Sequence, residues 1–352
     1  NLVQAINNQG SILHEPRKTA LLFDTPLRRP KSFTDVTYTF MKKFTFSTGA
    51  GATTHTLNLT DSGETFVNEA DIMIASDTEF APSGASGDIQ SGNQSILFSG
   101  LTQNTSYEVI CQVKKTNAEV KTKTLTETTI TANIEEEGNG IKVLNLGKSD
   151  IYSIERVRID DSDGEDIFPH FMFDAGGKMT HYDDGRLIWS GGGLDSESQD
   201  VFIRFKYFEP STSGQFYAVN SYDGQVDYLK VPAQKLPGGQ AKVSLRDTID
   251  FRPSTDGSGS YTTVPPLPVP TQTIATKAEY YLPRNDRLVI SKDAELRLIE
   301  GSPSLNPKFP EIPEDCIDLY KIRLNPNTLH ARDLKTTLIP RKGYTMADIN
   351  KL

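Results

Sequence analysis

The densest chemistry in the sequence is a carboxylate run, Asp160-Asp161-Ser162-Asp163-Gly164-Glu165-Asp166. Oxygens this close together offer hard ligands to Ca²⁺, with Asp161, Asp163 and Asp166 the candidates. The spacing departs from an EF-hand loop, which needs acidic groups at alternate positions, a glycine at the sixth and a glutamate at the twelfth; counted from Asp161, the glycine comes fourth. A solvated hairpin between Val157–Ile159 and Ile167–Phe168 is the favoured reading, and neither a metal nor a cofactor is expected. The five histidines are His14, His55, His170, His181 and His330, and none forms a HExxH or an i, i+4 pair. His170 sits between aromatics and reads as a core or wall residue. His181, followed by Tyr182-Asp183-Asp184, is the best general base with a carboxylate to orient it. Ser190 and the glycines after it lack the GxSxG frame of a nucleophile elbow. Trp189, the one tryptophan, could hold a sugar face but reads as core in Leu187-Ile188-Trp189. The expectation is a protein that is not an enzyme.

The elements that would carry these residues are strands. From Val36 onward short runs alternate apolar and polar, as in Val36-Thr37-Tyr38-Thr39-Phe40, Thr54–Leu59 and Ser106–Val113, with Gly, Ser, Asn and Asp between them. Leu101 and Tyr107 bracket a turn in the manner of a fibronectin type III corner, where a tyrosine buries its ring and bonds a backbone group with its hydroxyl. The pattern predicts a mainly β fold of serial β-sandwich domains. We expect an extended N-terminal arm over 1–37, an immunoglobulin- or fibronectin III-like sandwich over 38–126 and a second all-β domain over 127–230. An irregular, proline-rich connector over 231–277 follows, then a β-connector over 278–352 that ends in a short helix start. Phe202, Phe205, Tyr207 and Phe208 put aromatics on both faces of one strand, which marks it as central or covered on both sides. Asp183-Asp184-Gly185 reads as a turn. Four prolines within Val264–Pro270 read as a stiff polyproline strut.

The bulk composition narrows the partners. The 352 residues suit two to three domains. A formal net charge of −9 lacks the basic stripe that phosphate neutralisation requires, so no nucleic acid is expected. No apolar run approaches the roughly 18–20 residues of a bilayer span, so no membrane insertion is expected either. Cys111 and Cys316 are far apart and form no CxxC, which fits assembly in a reducing cytoplasm. The chain opens on Asn1 without a charged-then-apolar leader, so it reads as a processing product or part of a longer chain.

Several blocks stand out: Val243–Pro253 (VSLRDTIDFRP), Tyr280–Ile290 (YYLPRNDRLVI), Ile299–Pro303, the prolines of 307–313 and Tyr344–Leu352 (YTMADINKL). Together they resemble an uncharacterised domain family of tailed-bacteriophage virion proteins. Phe171–Asp174, through Tyr182-Asp183-Asp184 to Leu187-Ile188, resembles the strand pair ahead of them. The resemblance spans about residues 150–352 and implies a virion structural role, in the baseplate or in a tail fibre or its adaptor, assembled in the host cytoplasm with other tail proteins. The alternative is a tail module that binds a host glycan or protein receptor, and a virion-associated depolymerase is the third reading. In such proteins the closing block opens a helical segment. Met346, Ile349 and Leu352 would then share one face, which suits a bundle at a subunit axis; we expect a homo-oligomer, with a trimer as the guess. With Leu21, Leu22 and Phe23 of the arm, expected to lie across a neighbour, they complete the candidate interface residues.

Overall fold

A computed structural model describes residues 22–25, 30–137, 140–194, 196–235, 242–255, 266–270, 272–326, 328 and 331–340. The protein is mainly β, its strands pair antiparallel, and its helical turns are short 3₁₀ pieces. Among the described residues no helix is long and apolar enough to cross a membrane. Leu21, Met346, Ile349 and Leu352, and with them the expected helix start, lie outside the described residues. The chain divides into two compact units, Asn1–Thr25 with Ser32–Ala278, and Pro26–Lys31 with Glu279–Leu352.

Strand β1 (Leu22–Asp24) pairs with Thr248–Asp250 of the same unit. Leu22 is buried beside Phe208, Tyr222, Val231 and Leu245, and Phe23 meets Phe251 edge to face. The expectation that these two residues lie across a neighbouring subunit is therefore corrected. Their apolar side chains are used inside the chain, because β1 completes a ladder that would otherwise leave β-edge groups unpaired.

The first sandwich is built on β2 (Pro30–Ser47), where Val36, Tyr38 and Phe40 alternate inward. The strands that follow are β3 (His55–Asn58), β4 (Glu64–Phe66), β5 (Met73–Ser76), β6 (Ser86–Ile89), β7 (Ser95–Ser99) and β8 (Ser106–Ala118). β8 lies against β2 from Val36↔Ala118 to Ser47↔Ser106 and takes β4 and β5 on its other side. The facing sheet runs β3–β7–β6. Leu57, Ile96, Phe98, Val109 and Val113 fill the space between. Tyr107 is buried and its hydroxyl accepts a hydrogen bond from the Thr102 amide at 2.8 Å, the corner that the sequence implied.

The second sandwich starts with β9 (Lys123–Ala132), whose first residues lie ahead of the expected boundary at 127. The reason is β-pairing along its whole length, from Lys123↔Pro210 to Ala132↔Val201. Next come β10 (Glu135–Glu137), β11 (Ile141–Ser149), β12 (Ile151–Ile159), β13 (Phe171–Asp174), β14 (Asp184–Trp189) and β15 (Val201–Pro210). Sheet β12–β15–β9 faces sheet β10–β11–β14–β13 across Leu144, Leu146, Val157, Leu187, Ile203 and Phe205. β15, the aromatic-rich strand, is central. Gly185, expected in a turn, lies inside β14, where a Cβ would come within 2.2 Å of the Ile151 side chain.

In the stretch expected to be a connector, described residues 248–255 are buried, and Phe216 and Val219 from just ahead of it pack with Ile249 and Phe251. β16 (Ala233–Lys235) pairs with β17 (Lys242–Ser244), and β18 (Thr248–Asp250) carries the β1 pairing. Phe216, Val219, Ile249 and Phe251 join the core of the first sandwich. The prolines misled the sequence reading here; their described part docks along β2, with the Val269 amide donating to the Thr39 carbonyl at 2.8 Å. β19 (Ala275–Tyr280) follows on the free edge of β2, where Lys277 meets Asp35 at 2.6 Å.

The C-terminal unit holds one sheet of order β21–β20–β22–β23, formed by β20 (Arg284–Ser291), β21 (Leu296–Ile299), β22 (Cys316–Leu324) and β23 (Lys335–Leu338). Among its described residues Val289 is the fully buried apolar one, and Arg287 pairs with the buried Asp318 carboxylate.

Candidate functional site

The carboxylate run forms an exposed hairpin. The Ile159 amide bonds the Glu165 carbonyl and the Ile167 amide bonds the Val157 carbonyl. Asp161 Oδ1 accepts from the Asp163 amide at 2.8 Å, Asp166 Oδ1 accepts from the Phe168 amide at 3.0 Å, and Arg158 donates to the Gly164 carbonyl. Asp161 and Asp166 thus organise the turn itself, and among the described residues no group of three or more His, Cys, Asp or Glu is placed to hold a metal ion. His181 Nδ1 shares a 2.9 Å hydrogen bond with the Thr180 hydroxyl. Of the carboxylates beside it, Asp183 takes the Asp184 amide and Asp184 takes the Thr255 hydroxyl. Trp189 packs at the edge of the second core and donates to the Gly192 carbonyl at 2.8 Å.

The densest ionic chemistry lies elsewhere, in the interior of the N-terminal unit. Lys123, at the start of β9, is buried, and its ammonium donates to Asp150 Oδ2 at 2.6 Å, Tyr222 Oη at 3.0 Å and Tyr182 Oη at 3.2 Å. Those are all the donors a lysine has. The same ammonium stands 4.3 to 5.8 Å from the ring centres of Tyr182, Tyr217, Tyr222 and Phe208, a set of cation–π contacts that strengthens as water is excluded. Asp150 holds its place at the β11–β12 corner with φ at 55°, a left-handed conformation that Asp tolerates better than most residues.

Arg252, with no exposed surface, stands two residues beyond Asp250 on the same side of an extended segment. Its guanidinium meets Asp250 twice, Nε to Oδ1 at 3.0 Å and Nη2 to Oδ2 at 2.8 Å. Nη2 also donates to Tyr182 Oη at 2.8 Å, and Nη1 donates to the Lys178 carbonyl and to Gln234 Oε1. Every N–H of the fork is used. The Tyr182 hydroxyl donates to Asp250 in a short hydrogen bond, so it joins the two ion pairs into one network.

Two cations face two carboxylates, so the buried charge sums to zero. Burial by itself would raise the Asp250 carboxyl, but the Arg252 guanidinium holds it below the ordinary carboxylate range. Burial would lower Lys123, and Asp150 with the surrounding tyrosines more than offsets that, holding it well above its ordinary value. The Tyr222 hydroxyl is pushed up to about 12 by burial. The arrangement stabilises charges already present and fastens five separated parts of the chain: β9, the β11–β12 corner, Tyr182, Tyr222 and Asp250–Arg252. Around it Ser149 donates to the Thr255 carbonyl and the Thr255 amide to the Tyr182 carbonyl, so backbone bonds reinforce the same junction.

None of these residues stands out as a site in the sequence, although Tyr182, Asp250 and Arg252 lie in the blocks that carry the resemblance. The available signal was Thr248-Ile249-Asp250-Phe251-Arg252, in which opposite charges recur at the strand period within an apolar run. Lys123 carried no such signal, since its partners lie 27 and more residues away.

Two open hollows lie away from the network. One of 540 Å³ lies on the first sandwich between Thr45–Ser47, Ala75–Asp77 and Ser106–Glu108; there Phe46 stacks inward on Tyr107 and His55 stacks on Phe46. Another of 440 Å³ lies in the C-terminal unit, lined by Ser291, Lys292, Arg297, Asp315 and Cys316 among others.

No curated protein and no solved structure matches the chain. Residues 211–352 match the family model described as a domain of unknown function, DUF4815. The matched stretch holds Tyr222, Asp250 and Arg252 of the buried network as well as the C-terminal sheet, so over this stretch the chain is similar to that family.

Proposed function

We propose that the chain is a structural subunit of a bacteriophage tail, a baseplate component or a fibre adaptor that joins other tail proteins. The observation that carries this reading is a coincidence of position. Tyr182, Asp250 and Arg252 belong to the blocks that carry the resemblance, and with Lys123, Asp150 and Tyr222 they form the closed ionic network. Lys123 and Arg252 spend every donor on fixed partners. A network of that kind supports rigidity, which a part that transmits force or holds neighbours in register needs. Its residues act as fasteners in this reading, and the protein works through its surfaces.

The reading is tested by mass spectrometry of purified particles of the phage that encodes the chain. Peptides from this chain are expected at a fixed ratio to the major tail proteins, and to stay with detached tails. Their absence from washed particles would contradict the proposal.

A further inference from the structure

In the C-terminal sheet the chain covers the side that holds Arg287 and the buried Val289, and a set of apolar side chains lies open on the other. The register sets Leu298 beside Leu288, Leu288 beside Tyr320 and Tyr320 beside Leu338, one large apolar side chain on each of the four strands. A second row sets Leu296, Ile290 and Ile317 side by side, on the same side of the sheet. Five of these seven residues are open, Leu296 at 64% exposed, Leu298 51%, Ile317 49%, Tyr320 37% and Leu338 58%, while Leu288 and Ile290 of the central strand are half-buried between them.

The opposite side carries the charges, and there the chain covers itself. Arg287, Lys321 and Arg323 of that side gather around the Phe309 ring at 5.3 to 5.8 Å. Asn285 donates to the Pro307 carbonyl and Arg287 to the Pro310 carbonyl. The proline-rich segment is thus a strap over the polar side. Antiparallel sheets normally bury the apolar face and leave the polar one to water.

The open face amounts to apolar surface on the order of 500 Å², at the upper end of what monomers expose in one patch. It approaches the roughly 800 Å² that each partner contributes to a standard interface. Its border charges are paired: Arg284 with Asp286 and Glu300, and Lys292 with Asp315. One carboxylate is left in excess among them, so a strongly basic or acidic partner finds little net charge there to read. Copies of a chain with net charge −9 repel one another through most of their surface, and an apolar face with so little net charge at its border is where they approach at least cost.

We infer that this face packs against the same face of a second copy of the chain, sheet on sheet, in a two-fold self-complementary contact. The inference rests on the exposure pattern alone and holds or fails independently of the virion reading.

Sedimentation velocity of the full chain across the micromolar range tests it. The wild type is expected to reach the mass of a dimer. The double variant Leu298→Glu/Leu338→Glu places like charges on the face, and its dimer dissociation constant is expected to rise at least 100-fold with the far-UV circular dichroism unchanged. Leu298→Ala/Leu338→Ala, which adds no charge and provides for poor folding of the first variant, is expected to weaken association about tenfold. Met172→Glu, at an exposed position of the other unit, is expected to leave association intact. A wild type that stays monomeric throughout, or association unaffected by both double variants, would overturn the inference.

Discussion

At the residue scale, Arg252 and Lys123 are the positions where substitution has the largest consequence. Arg252→Leu leaves Asp250 buried beside Tyr182 without its counter-ion, and breaking a buried pair on one side costs about 3–5 kcal/mol. That loss is expected in urea unfolding of the full chain. Replacing Asp250 and Arg252 together by apolar residues is expected to cost clearly less than the two single losses combined, because no lone charge remains. The network also sets a pH window. Tyr222 has a folded value of about 12 against roughly 10 when unfolded, so its contribution is complete below pH ~10 and is lost as pH rises toward 12. Lys123, also raised, adds to the loss in the same direction. Asp250 is depressed, so its contribution is present above about pH 4 and is lost as pH falls through the folded value. Unfolding free energies measured from pH 7 to 12 are expected to fall steeply above pH 10, and less steeply in Tyr222→Phe. The cysteines give a separate check. Cys111 is buried and burial pushes its thiol up to about 12, whereas Cys316 is half-buried. Iodoacetamide is expected to modify Cys316 in the native protein and Cys111 only after denaturation; the reverse order would contradict the burial described.

At the element scale, strand alternation carried most of the fold. Val36, Tyr38 and Phe40 announced β2, and the Leu101–Tyr107 corner announced the turn into β8, down to the hydroxyl that meets the Thr102 amide. Removing that one bond in Tyr107→Phe is expected to cost about 1 kcal/mol, read by thermal or urea unfolding. What stayed illegible was long-range docking. Leu22 and Phe23 form a short apolar run whose partner strand is more than 220 residues away, and periodicity cannot choose between that partner and a neighbouring subunit. Prolines near 264–270 looked like a spacer because proline cannot donate to a ladder; the Val269 amide between them nevertheless reaches β2. Gly185 resembled a turn residue beside two aspartates, although its absent Cβ makes room for Ile151. Gly185→Val is expected to destabilise the second sandwich by a few kcal/mol through overpacking, with Gly49→Ala, at a glycine with open space around it and no left-handed φ, costing less.

At the scale of the whole molecule, the N-terminal unit turns its ionic chemistry inward and the C-terminal unit turns an apolar sheet outward. The first arrangement favours a body that resists deformation, and the second is the surface on which we infer self-association. The virion proposal would unite them, since a tail part must be rigid within and adhesive without. That proposal rests on block resemblance, because composition and strand spacing are shared by many β proteins with other roles. The most direct measurement is immunogold labelling of intact particles with antibodies against this chain. The account predicts gold on the tail, concentrated at the baseplate or where the fibres attach. Gold on the capsid, or none on particles that label well with an antibody against a known tail protein, would contradict it.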